Sequence, residues 1–130
     1  QSSFYEFLYI YVYMNISINK NRFKVKVMIT PRDTKKGMMG RDFDSTFNGM
    51  LFLMKGDEQC FWMKDCIVPL DIIMISDNTI TEIHHQCPPC ESEDCESYCG
   101  EGDVVLELPS GTCKKLGIQI GDEVDFNPPR

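Results

Sequence analysis

Apolar and polar residues alternate in short runs along most of the chain, and turn residues separate the runs. Phe23-Lys24-Val25-Lys26-Val27-Met28-Ile29 has the period of two expected of a strand with one buried face, which points Phe23, Val25, Val27 and Ile29 inward. Ile16 and Ile18 alternate in the same way. Asn19-Lys20-Asn21 lies between the two runs as turn material, so a hairpin is predicted. Residues 49–54 and 71–76 are apolar on both faces and read as buried strands. Residues 59–64 return after a turn at Lys55-Gly56-Asp57-Glu58. Residues 79–85 pair with the second buried strand across Asp77-Asn78. Residues 103–108 put Val104, Leu106 and Leu108 on one face, and 123–126 form a last strand.

Two short helices interrupt this pattern. Thr30-Pro31-Arg32-Asp33 reads as a helix start, with Thr as N-cap, Pro at the first helical position and an acid three residues after the cap. That helix is expected to run to about Met39 and stop at Gly40. The second follows Pro109-Ser110-Gly111, runs through Leu116 and closes at Gly117. Many short strands with few helices predict a mainly β fold, a single-domain β-sandwich or barrel with two short helices.

The length of 130 residues suits one domain with a real core. Met14 resembles a natural start, so residues 1–13 are expected to be an N-terminal extension and 14–130 the domain. Residues 4–13 are aromatic and apolar enough for a further strand. Asn15-Ile16-Ser17 matches the glycosylation sequon but falls in a predicted strand. Apolar content is 42% and charged content 25%, ordinary for a soluble globular protein. No apolar run reaches the ~18–20 residues that span a bilayer. The absence of a secretory signal favours the cytoplasm over export. The net charge of −7 argues against a nucleic-acid partner. Most of that charge sits in one stretch, where six carboxylates and no Lys or Arg lie between Gln86 and Asp103.

Several separate motifs stand in a familiar order: Gly37-Met38-Met39-Gly40-Arg41, Gly49-Met50-Leu51-Phe52, Phe61-Trp62-Met63-Lys64 and Pro69-Leu70-Asp71-Ile72. After them come Cys90, Cys95 and Tyr98, then Val105-Leu106-Glu107-Leu108-Pro109 with Gly111, then Gly117-Ile118 and Gly121-Asp122-Glu123-Val124. Over about residues 16–126 the chain resembles domain-of-unknown-function family 192. The resemblance implies a compact, mainly β domain of bacteria, archaea and some of their viruses, with no established activity. The thiol-rich style is similar to phage-encoded members. The chain departs from the family pattern at Gly40, where Phe is common, and at Asp65-Cys66, where Asn-Thr is usual. Cys60, Cys87 and Cys99 are additions to it.

Candidate chemistry centres on two places. In the strand at 59–64, Cys60, Trp62 and Lys64 share one face, while Phe61 and Met63 take the core face. Trp62 with Lys64 is either an aromatic platform and a cation for a small ligand or protein partner, or a buried Trp beside a snorkelling Lys. Glu107 lies opposite the apolar face of its strand, and Asp71 opens another. With Lys64 and Arg41 they form a candidate ligand-binding set. Convergence of Lys64, Asp71 and Glu107 in one pocket would suit acid–base or hydrolytic catalysis. The bland alternative for these charges is ordinary ion pairing or capping of loop ends.

The second place is the run Cys87, Cys90, Cys95 and Cys99. Four thiolates can close a tetrahedral zinc site, which would make the chain a zinc-stabilised structural module. Disulfides are the competing reading, most simply Cys90–Cys95 with Cys87–Cys99 nested outside it. The resemblance implies the first of these pairs as the one shared with relatives. Cys87-Pro88-Pro89-Cys90 also spells a redox motif, but it lacks the helix N-terminus that such chemistry uses. Cys113 is expected to be buried and inert. The function expected from the sequence is a small monomeric binding or accessory module, with an enzyme and a zinc-stabilised module as alternatives.

Overall fold

The computed structural model describes residues 12–129. The expected strand at 4–13 and nearly all of the expected extension lie outside the described residues. Tyr13, the last residue assigned to that extension, opens the first strand.

The chain forms β1 (Tyr13–Ile18), β2 (Asn21–Met28), α1 (Pro31–Lys36), β3 (Gly49–Leu53), β4 (Glu58–Trp62), β5 (Leu70–Ser76), β6 (Thr79–Cys87), β7 (Ser97–Glu101), β8 (Val104–Pro109), α2 (Thr112–Leu116) and β9 (Val124–Asp125). Seven strands make one sheet in the order β6-β5-β8-β3-β2-β1-β9, and β4 pairs with β7 in a second sheet. All pairs are antiparallel except β2 with β3. The large sheet curls until its edges meet at one corner. Thr79 bridges Glu123, and the Ile80 N–H donates to the Asp122 carbonyl at 2.9 Å. The fold is mainly β and barrel-like.

The β1–β2 hairpin turns where the pattern places it. Asn19 and Lys20 both take positive φ, as a two-residue hairpin turn requires. Phe23, Val25 and Val27 are buried, but Ile29 is not. The strand ends at Met28, which is itself buried, and Ile29 stands 52% exposed in the lead into α1. The cap of α1 is as expected, with the Asp33 N–H donating to Thr30 Oγ1 at 3.1 Å. The helix stops at Gly37, short of Gly40, because the chain already leaves helical geometry there.

Both faces of the curled sheet are covered. The inner core holds Ile16, Val25, Leu51, Ile73, Leu106 and Leu108, closed by Cys113 of α2. The outer face holds Met50, Phe52, Ile72, Met74 and Val105. The β4–β7 pair, α1 and the loop after α1 lie over it. Two glycines allow that close approach. A Cβ on Gly100 of β7 would come within 2.6 Å of Met74 Cγ, and one on Gly102 within 2.3 Å of the Ile75 carbonyl oxygen. Any side chain there would push the second sheet off the first.

Candidate functional site

The sequence places Glu107 on the face of β8 away from Leu106 and Leu108. That face does not meet water. It turns to the outer core, and Glu107 is 4% exposed beneath the β4 layer. Its Oε1 finds no hydrogen-bond partner among the described residues. Burial pushes its carboxyl up from 4.5 to about 8, so at neutral pH it is largely protonated. A buried polar atom without a partner is costly, and such atoms mark functional sites more often than chance.

Glu107 lines a cavity of about 180 Å³ whose other walls come from three elements. The turn after α1 supplies Met38 and Met39, β3 and its end supply Phe52 and Met54, and β4 with the following loop supplies Phe61, Trp62, Lys64 and Cys66. Phe52 and Phe61 meet edge to face at 4.9 Å. Lys35 and Lys36, both exposed, also border the space. The arrangement is a carboxyl between aromatic and thioether walls, with ammonium groups at the margin.

Of the five ligand-binding candidates, the structure brings three together. Trp62, Lys64 and Glu107 line this one cavity. Trp62 is 48% exposed, so it is not a buried core tryptophan. β4 is a strand of the outer layer, and among the described residues no further layer covers its Trp62 side. Lys64 lines the cavity, and its ammonium donates to the carbonyls of Glu91 and Ser92 at 2.9 and 3.0 Å. It thereby holds the acidic cysteine loop against β4.

Asp71 and Arg41 stand apart. Ile72 is the residue opposite Glu107 and Asp71 is one position earlier, so strand alternation sends Asp71 to the inner core. There it is fully buried and caps α2. Its Oδ1 accepts from the N–H of Gln86 at 2.8 Å and of Gly111 at 3.1 Å, and its Oδ2 accepts from the N–H of Cys113 at 2.9 Å. The expected convergence of Lys64, Asp71 and Glu107 therefore does not occur. Arg41 borders a separate depression with Val12, Lys26 and Asp33.

Two disulfides order the cysteine loop. Cys90 pairs with Cys95, as one reading of the sequence has it. Cys99 pairs with Cys60 rather than Cys87, because β4 and β7 run antiparallel with Cys60 directly opposite Cys99. The four thiols proposed for zinc therefore do not converge, and no group of three or more metal-ligating side chains occurs among the described residues. Cys87 is buried and free, as is Cys113. Burial pushes their thiols up to about 11 and 12 respectively. Cys66, in the cavity wall, is pushed to about 12 by burial and by the nearby Glu107 and Asp65. None of the three is a thiolate nucleophile at neutral pH. His84 reaches β7, its Nε2 lying 2.8 Å from the Cys99 carbonyl oxygen and its ring against Tyr98.

The sequence reading missed Met38, Met39, Phe52 and Cys66 as cavity walls. The signal available was the pair of methionines set between glycines in Gly37-Met38-Met39-Gly40, which marks apolar side chains on a loop.

Residues 14–126 match the family DUF192, described as Uncharacterized ACR. No curated protein matches the chain. Among solved structures, a candidate transcription regulator from Sinorhizobium meliloti 1021 is 30% identical, with a TM-score of 0.78 over 88% of this chain and 94% of that one. A protein of unknown function from Novosphingobium aromaticivorans DSM 12444 is 28% identical, with a TM-score of 0.75 over 88% of this chain and 85% of that one.

Proposed function

The chain belongs to the DUF192 family, and from that footing we propose that it is a small binding module whose ligand site is the Glu107 cavity. The observation that carries the reading is Glu107 itself, a buried carboxyl with an unpartnered oxygen that lines a cavity bordered by an exposed tryptophan. A core has no use for such a group, whereas a pocket of apolar walls with one or two polar atoms is the usual form of a small-molecule site. An apolar cavity of about 150 Å³ accommodates benzene, so this one suits a ligand of similar or slightly larger size. The Cys60–Cys99 disulfide ties the β4 wall to β7, and the Lys64 contacts tie the end of that wall to the cysteine loop.

An acid–base enzyme is the second reading, and one observation favours it: Glu107 changes protonation near neutrality. It lacks a second group, since Asp71 is occupied as a helix cap and the Lys64 ammonium is occupied by two carbonyls. The designation of the Sinorhizobium protein suggests DNA, but a net charge of −7 does not favour a phosphate backbone.

The test is a fragment screen read by NMR on protein labelled at the methionine methyls. Binding at the site moves Met38, Met39 and Met54 and leaves Met14, which packs against the inner core, in place. A library in which no fragment moves the first group overturns the proposal, and turnover of a bound fragment would favour the enzyme reading.

A further inference from the structure

We propose, resting on the binding reading above, that the ligand is a small organic amine that enters ammonium-first, with its N–H groups on the Glu107 carboxylate and its carbon chain against Trp62 and Phe52. Ionised, the Glu107 carboxylate in the cavity wall offers only acceptor atoms, so the group that meets it must bring the donors. A cation is the strongest such donor. The walls suit one as well. Aromatic faces attract ammonium groups, and the cavity carries Phe52, Phe61 and Trp62. Methionine thioethers adapt to an alkyl chain.

The lysines decide the other end. Lys35 and Lys36 are exposed where the cavity meets solvent. They oppose a ligand that is cationic throughout and favour one whose outer end is anionic. An ω-amino carboxylate fits both ends, whereas a dication does not.

The charged and titratable groups that face Glu107 or act on it are Cys66, Cys87, Lys35, Lys36 and Lys64. The two thiols, pushed to about 12 and 11, stay protonated through neutrality. Glu107 holds a proton up to about pH 8, and an incoming ammonium must displace it. Amine affinity therefore rises with pH, by about 50-fold between pH 6 and pH 8, and levels off above that.

Trp62 is the only tryptophan in the chain and borders the cavity, so its emission reports on the site directly. The oxidised protein is titrated with butylamine, 5-aminopentanoate, pentanoate and pentanamide at pH 6, 7 and 8, alongside Glu107→Gln. The expected result is saturable change with the two amines, tighter for 5-aminopentanoate, a rise of about 50-fold across the range, and loss of both affinity and pH dependence in Glu107→Gln. The wild-type pH series needs no variant and stands if Glu107→Gln misfolds. Binding of pentanamide or pentanoate in place of the amines, with affinity flat or falling as pH rises, overturns the amine class and leaves the binding site standing. No response to any of the four compounds at the highest concentration overturns the amine proposal; the binding reading then stands or falls on the methionine-methyl screen.

Discussion

Replacing Glu107 by Gln tests the electrostatic reading of the cavity without any ligand. Gln keeps the shape of the side chain and cannot ionise. In the wild-type protein the native state keeps a proton on Glu107 up to about pH 8, while the unfolded chain releases it near 4.5. Across that window the native state binds more protons than the unfolded state, so stability falls as pH rises. Below pH 4.5 the contribution vanishes, and above about 8 the loss is complete. At about 1.36 kcal/mol per pH unit, the full window amounts to roughly 5 kcal/mol, a large share of the ~5–15 kcal/mol that holds a domain together. Between pH 5 and pH 8 the share is roughly 3–4 kcal/mol. The assay is urea unfolding without reductant at pH 5, 6, 7 and 8, for wild type and Glu107→Gln. Other carboxylates titrate in both proteins and cancel in the difference. The free thiols, raised to about 11 or 12, contribute only above this range. The variant is expected to gain on the wild type by roughly 3–4 kcal/mol from pH 5 to pH 8. Parallel curves would refute the reasoning, since they would mean that Glu107 is solvated or partnered and that the cavity floor is not dry.

Other substitutions separate the parts of the account. Trp62→Ala should change stability by under about 1 kcal/mol, because Trp62 is 48% exposed, and should abolish binding in the methionine-methyl screen. Asp71→Ala should cost on the order of 3–5 kcal/mol in thermal or urea unfolding, since three backbone N–H groups, that of Cys113 buried, lose the acceptor they share. Reductant should add four hydrogens to the intact mass, two for each of the two disulfides, with no change assigned to Cys66, Cys87 or Cys113. Replacing Cys60 and Cys99 by Ser should cost about 4 kcal/mol by loop-closure entropy over a separation of 39 residues, and should loosen the β4 wall.

The features readable from the sequence were the local ones. The Asn19-Lys20 turn, the Thr30 cap and the Gly117 stop each follow from a residue's own backbone preferences, and the alternation in β2 follows from the period of a strand. What could not be read depends on which strands meet. The burial of Glu107 was not readable because nothing local says that β4 and β7, far apart in the chain, pair and settle over the outer face of the large sheet. The same pairing leaves Trp62 on an exposed side and joins Cys60 to Cys99 rather than Cys87 to Cys99. The separation of Asp71 from Glu107 is a matter of one residue of register, which decides the face of every side chain in a sheet. Trp62 and Lys64 were identifiable as an aromatic and a cation on one face. Their shared cavity with Glu107 was not, because it is built from four segments, β8 among them, that meet only in the fold.

Everything proposed for this chain depends on Glu107 being a buried carboxyl with a free oxygen. The direct measurement is the carbon-13 chemical shift of its side-chain carboxyl, followed by NMR from pH 4 to pH 10 in the free, oxidised protein and assigned by its absence in Glu107→Gln. The account predicts a midpoint near 8. A midpoint near the ordinary 4.5 would contradict it, because a carboxyl that ionises that easily is already solvated or paired and has nothing left to offer a ligand.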